Sequence, residues 1–127
     1  MALILLIDDH LALRQTLRRI LQTEGHEVLE AANGRAGMAL FERHNPALVI
    51  TDILMPDQDG IATILDLRRR CAGAKIIAMS GGGEAATQTL YLDAARKLGA
   101  DEIVRKPFRA EEIVALVDGL LGANVYP

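Results

Sequence analysis

Five short aliphatic runs recur along the chain, and their spacing limits what it can fold into. They occupy residues 3–7 (LILLI), 28–32 (VLEAA), 47–51 (ALVIT), 75–80 (KIIAMS) and 102–105 (EIVR). Each has strand length and is rich in aliphatic or β-branched residues. Most do not alternate polar with apolar residues, which is the pattern of strands covered on both faces.

Helical patterns fill the gaps. Leu13, Leu17, Ile20 and Leu21 share one face, with Gly25 as a stop. Asn33 is suited to cap a helix carrying Ala36, Leu40 and Phe41 that ends before Pro46. Asp59 is placed to cap a third, with Ile61, Ile64 and Leu65 inward and arginines 68–70 at its C-terminal end. A fourth lies between Glu84 and Leu98, its start blurred by glycines 81–83. The last follows Pro107, with Ile113, Val117, Leu120 and Leu121 on one side. Successive strands at this spacing need crossover helices. The expected fold class is therefore α/β, a doubly wound five-stranded parallel sheet with helices on both faces. The 127 residues are read as a single domain, with no repeat, linker or low-complexity tract.

Composition narrows the function classes. Half of the residues are apolar, as in a globular protein. The formal charge of −3 argues against a general nucleic-acid binder, because counterion release needs a basic face. Arginines 68–70 suit a helix C-terminus through the dipole, and that reading outweighs a nucleic-acid patch. The single cysteine, Cys71, cannot close an internal disulfide, which points to a reducing compartment. It is read as incidental rather than reactive. The opening apolar run is too short to span a bilayer and lacks the basic start and cleavage site of a signal peptide. The expectation is a soluble, cytoplasmic protein with no membrane partner.

In an open doubly wound sheet, ligands bind beyond the carboxyl ends of the strands. The apolar runs here end at Asp8 and Asp9, at Asp52, at Ser80 and beside Lys106. Clustered carboxylates repel unless a cation sits among them. Oxygen ligands suit Mg²⁺ or Mn²⁺, and the lack of thiolate or paired-histidine spacing argues against zinc. His10 follows the acids, and is read as a solvated cap neighbour rather than a ligand. A hard cation with an open side handles phosphate, Lys106 can hold a phosphoryl oxygen as a point charge, and Ser80 can hydrogen-bond another. No Walker-type loop is present, so bound ATP is not the expected donor. An aspartate can itself be the nucleophile, giving an aspartyl phosphate.

These residues resemble those of a known family. The pattern "IDD" (residues 7–9), "VITDILMPDQDG" (49–60), "AMSG" (78–81) and "KPF" (106–108) is similar to receiver domains of two-component response regulators, in their stand-alone, chemotaxis-regulator-like form. The resemblance spans nearly the whole chain and implies the flavodoxin-like strand order 2-1-3-4-5, with no output domain. It implies that Asp52 accepts a phosphoryl group from a phosphohistidine on a histidine kinase or histidine phosphotransfer protein. It also implies that Asp8, Asp9 and Asp52 bind Mg²⁺, with Asp9 and Asp52 direct and Asp8 through water. The Leu54 carbonyl is a further ligand, and Ser80 and Lys106 hold the phosphoryl oxygens. The Lys106–Pro107 bond is expected to be cis. Met55, Pro56 and Gly60 are read as shaping the turn after the third strand, and Asp57 and Asp59 as exposed turn or cap residues.

Two departures stand out. Many receivers carry Tyr or Phe three residues before the lysine, where this chain has Ile103. A branched aliphatic has no ring to swing, so signalling by ring rotation is not expected. The glycine-rich stretch 81–83 after Ser80 is the expected carrier of the signal, through the loop into the fourth helix. The expected function is a phosphorylation switch acting through an output protein, with no enzymatic activity beyond its own phosphorylation and autodephosphorylation. The alternatives are a phosphorelay carrier or sink, and a phosphorylation-independent interaction module. A metal-dependent phosphatase lacks a cap domain here. A flavin carrier is disfavoured by two Tyr, two Phe and no Trp. The protein is expected to be a monomer or weak homodimer, with Leu90, Tyr91 and Val114 either core or contact residues.

Overall fold

A computed structural model describes residues 2–53, 60–81 and 85–122. The elements run β1 (Leu3–Ile7), α1 (Leu11–Thr23), β2 (Glu27–Ala31), α2 (Gly34–His44), β3 (Leu48–Asp52), α3 (Gly60–Arg70), β4 (Lys75–Ser80), α4 (Ala85–Leu98), β5 (Glu102–Arg105) and α5 (Ala110–Leu121). The sheet has five strands in the order β2-β1-β3-β4-β5. Every pairing is parallel, with Ile4 opposite both Val28 and Leu48, and Ile50 opposite Ile77. The α/β expectation and its strand order are borne out. Among the described residues no helix is long and apolar enough to cross a membrane.

The strands lack polar alternation because both faces are covered. Successive side chains leave a strand on opposite sides. Leu5, Ile7, Val49 and Ala78 therefore join Met38, Phe41, Ile64, Leu67 and Leu92 of α2, α3 and α4 in one apolar layer. Ile4, Leu6, Ile50 and Met79 join Leu17, Leu21, Ile113 and Val117 of α1 and α5 in the other. Each fully buried Leu or Ile contributes roughly 1.5–3 kcal/mol relative to exposure, so the central strands β1, β3 and β4 carry most of the driving force.

Local signals set the helix ends. The Asn33 side chain accepts a hydrogen bond from the Ala36 N–H, and α2 closes on Asn45 in the left-handed region at φ 48°. The inward face of α2 differs from the expected one. Gly37, Met38 and Phe41 are buried, Leu40 is partly buried and Ala36 is exposed. Residues 36 and 40 share a phase that Phe41 only partly overlaps; the helix instead sets Gly37 against Ile7, where a Cβ would lie 2.8 Å from Cγ1, with Met38 and Phe41 in the same layer. On α4, Leu90 is 71% exposed and Tyr91 also faces solvent, so neither is core, whereas Val114 of α5 is half-buried. The expected Asp59 cap and residues Leu54, Met55, Pro56 and Asp57 lie outside the described residues, as do glycines 82 and 83.

Arg68 has a specific role at the amino-terminal rim of the sheet. Its Nε and Nη2 donate to the Gly99 carbonyl at 2.8 and 2.5 Å, and its Nη1 donates to the Ala72 carbonyl at 2.9 Å and to the Ala74 carbonyl. Nη2 also meets Asp101 Oδ2 at 2.7 Å, and the same oxygen accepts from the Ile76 N–H at 2.8 Å. One guanidinium thus satisfies carbonyls from two loops and joins the end of α3 to the starts of β4 and β5. Among the described residues the Arg70 side chain makes an exposed ion pair with Glu42 and no other. Arg68→Ala is expected to lower stability by about 2 kcal/mol, because it strands several acceptors. Arg70→Ala should cost less than about 0.5 kcal/mol. Urea unfolding followed by circular dichroism separates the two.

Candidate functional site

The strand order reverses between β1 and β3, since the chain runs from β1 outward to β2 and then returns to β3 on the other side. The crevice beyond the carboxyl ends of β1 and β3 is where such sheets bind ligands. Asp8 and Asp9 follow β1 and Asp52 ends β3. Parallel pairing puts Ile7 beside Thr51 and Asp52 beside Met79, so the acids and Ser80 arrive on the same rim. Gly60 opens α3 against this rim, with its N–H on the Ile53 carbonyl at 2.8 Å. A Cβ there would collide with the Asp52 carbonyl oxygen and lie 2.6 Å from Ile53 Cα, so only glycine fits.

Asp8 and Asp52 are 1% and 2% exposed, a costly position for carboxylates. Lys106, just past β5, compensates both. Its Nζ lies 2.9 Å from Asp8 Oδ2 and 3.4 Å from Asp52 Oδ2. Asp8 Oδ1 also accepts from the His10 N–H at 2.9 Å. The His10 ring, at the N-cap of α1 and largely exposed, places Nδ1 3.2 Å from Asp8 Oδ1 and 3.4 Å from Asp9 Oδ1. Ser80 is fully buried, and its Oγ has no hydrogen-bond partner among the described residues. Its carbonyl accepts from the Lys106 N–H at 2.7 Å, tying strand β4 to the lysine. The Lys106–Pro107 bond is cis, as expected.

Asp8, Asp9, His10 and Asp52 each offer a ligand atom, all within 4.8 Å of one another. Three carboxylates face one ammonium, which leaves excess negative charge at the rim. This donor set, dominated by oxygen, fits a hard divalent cation. The rim opens into a cleft of about 750 Å³ lined by His10, Leu13, Asp52, Gly81, Lys106 and Phe108. The structure thus gathers Asp8, Asp9, Asp52 and Lys106 in one place and sets Ser80 on the same rim. Leu54, the implied carbonyl ligand, lies outside the described residues.

A family model for the response regulator receiver domain matches residues 4–118. The chain belongs to the response regulator receiver family. The receiver is 34% identical over 119 residues to the chemotaxis protein CheY of Bacillus subtilis (strain 168), covering 93% of this chain and 96% of that protein. It is 35% identical over 124 residues to the probable transcriptional regulator ycf27 of Cyanophora paradoxa, covering 98% of this chain and 50% of that protein. It therefore spans about half the length of the ycf27 regulators it matches. Among solved structures, the receiver domain of NtrX from Brucella abortus superposes with a TM-score of 0.87 at 26% identity, covering 95% of this chain and 99% of that one. Receivers of this family are signalling domains that work with kinases and output proteins.

One support behind the site escaped the sequence reading. Arg14 of α1 donates from Nη1 to the Asp8 carbonyl at 2.8 Å and from Nε to Glu30 Oε1 at 2.9 Å. Arg18 reaches Glu30 Oε2 at 2.5 Å. The available signal was a lone acid inside the second aliphatic run, opposite two arginines one turn apart. Burial pushes the Glu30 carboxyl up, but hydrogen bonds and charge from Arg18 and Arg14 outweigh it and hold the group below its ordinary value. A lowered folded-state value means the contribution is complete above the unfolded-state value and is lost as pH falls through the folded one. Glu30→Gln is therefore expected to lower the Tm at pH 7, and the gap to native protein should close in strongly acidic buffer. Thermal melts across that range check it.

Proposed function

We propose that this receiver accepts a phosphoryl group on Asp52 from a phosphohistidine of a partner kinase or phosphotransfer protein, with Mg²⁺ held by Asp8, Asp9 and Asp52. The observation that carries the reading is the shared ammonium of Lys106 between the buried carboxylates of Asp8 and Asp52. A lysine already at the acceptor carboxylate is placed to meet the oxygens of an arriving phosphoryl group. Mg²⁺, when bound, supplies charge neutralisation for those oxygens. An Asp52 oxygen attacks phosphorus, and the phosphorus–nitrogen bond breaks with its electron pair retained by the imidazole. The Ser80 hydroxyl, lacking a hydrogen-bond partner among the described residues, is suited to donate to a phosphoryl oxygen. Attack of water on phosphorus returns Asp52 and inorganic phosphate. In this reading the receiver has no catalytic task on any other substrate, and the phosphorylated form changes what its surface binds.

Ile103 is partly buried against the α2–α3–α4 layer, which agrees with a signal that does not use a rotating ring. Arg105, in the same strand and next to Lys106, donates to Thr89 Oγ1 on α4 at 2.5 Å. Strand β5 thus touches α4 beside the site, a direct route for a change at Lys106 to reach that helix.

Incubation with acetyl phosphate and Mg²⁺ followed by mass spectrometry is expected to show one phosphoryl adduct on native protein and none on Asp52→Asn. Unmodified native protein would refute the reading. Hydrogen exchange across residues 81–90 is expected to change when beryllofluoride and Mg²⁺ are added. Unchanged exchange would exclude this segment as the carrier of the signal.

A further inference from the structure

Gly81 follows Ser80 at the end of β4 and borders the site cleft. A Cβ built on it would lie 2.6 Å from Lys106 Cβ, 2.8 Å from Cδ and 3.1 Å from Cγ. Non-bonded carbons prefer roughly 3.5–4.0 Å. A flexible lysine tip could move aside at small cost, but Cβ moves only with the backbone. That backbone is pinned, because the Lys106 N–H donates to the Ser80 carbonyl at 2.7 Å and Ser80 pairs with Arg105 in the sheet. Gly81 is not among the glycines with positive φ, so the left-handed region does not reserve the position for glycine, and the nearest atoms to an added side chain are those of the lysine stem.

We propose that Gly81 is a positioning residue for Lys106. The missing side chain leaves room at the end of β4 for the lysine stem that brings Nζ to Asp8 and Asp52. This assignment rests on the proposed phosphoryl-accepting role and adds a determinant outside the charged set. It has a consequence of opposite signs. A displaced ammonium stops neutralising the carboxylates, so they attract a divalent cation more strongly. The same displacement removes a donor from an anion bound at Asp52. General damage to the rim would weaken both.

The test compares native protein with Gly81→Ala by calorimetric titration with Mg²⁺ alone, then with beryllofluoride at saturating Mg²⁺. Mg²⁺ affinity is expected to rise about threefold or more and beryllofluoride affinity to fall about tenfold or more, as loss of one nearby charge dictates. In a Lys106→Met background, Gly81→Ala should change neither by more than about twofold, since no ammonium remains to displace. Unchanged affinities in Gly81→Ala, a fall in both, or equal effects with and without the lysine would overturn the assignment. If Gly81→Ala does not fold, it is added instead to Lys106→Gly, which lacks the colliding stem, and urea unfolding is expected to find that pair as stable as Lys106→Gly alone. A further loss of stability from Gly81→Ala in the absence of the stem would also overturn the assignment. Native protein that binds Mg²⁺ but not beryllofluoride would count against the proposed function instead, while the Mg²⁺ titrations still decide the role of Gly81.

Discussion

The buried carboxylates of Asp8 and Asp52 are tolerable because a single ammonium lies between them. Removing such groups from water costs several kcal/mol each, and mutual repulsion adds to that. Lys106 offsets part of the cost, and at the mouth Asp9 meets the His10 ring at 3.4 Å. The rim is therefore a place of unresolved charge, which the fold maintains at the expense of its own stability. A hydrophobic layer on each face of the sheet makes that expense bearable. Among the described residues, this buried charge departs from what folding alone would favour, as is expected of functional sites.

The fold brings these groups together through parallel order rather than through local sequence. Asp8 and Lys106 are 98 residues apart along the chain, yet their side chains are in hydrogen-bond contact. Each β-α unit returns the chain to the same edge, so the residue after every strand is delivered to one rim. The reversal between β1 and β3 leaves a crevice there that no crossing helix fills. Arg14 adds a brace by linking the Asp8 backbone to Glu30 on the outer strand.

Strands were well legible in the sequence, because five aliphatic runs without polar alternation have few alternatives. The limits of the first, fourth and fifth agree with the observed strands, whereas the second and third are displaced by one residue. The helix faces were less legible. Met38 turns inward and Ala36 outward because α2 packs Gly37 against Ile7 of β1, a contact that a reading by hydropathy does not disclose. The acids and the lysine were legible through their spacing. Their supports were not. Arg68 reads locally as a cation at a helix end, but its partners Gly99 and Asp101 lie 31 and 33 residues away. Glu30 and Gly81 likewise acquire their roles only from neighbours that the fold supplies.

The clasp formed by Arg68 makes the two rims of the sheet mechanically unlike. At the amino-terminal rim, neutral carbonyls and a paired carboxylate are stitched by one guanidinium to α3, β4 and the approach to β5. At the opposite rim, charge is unbalanced and the lysine stem passes over a bare glycine. β4 and β5 are thus clasped to α3 at one end, and at the other are joined to each other through the Lys106 N–H and the Ser80 carbonyl. A change at the lysine therefore acts on both strands together, at the end remote from the Arg68 clasp, where Arg105 of β5 already meets Thr89 of α4.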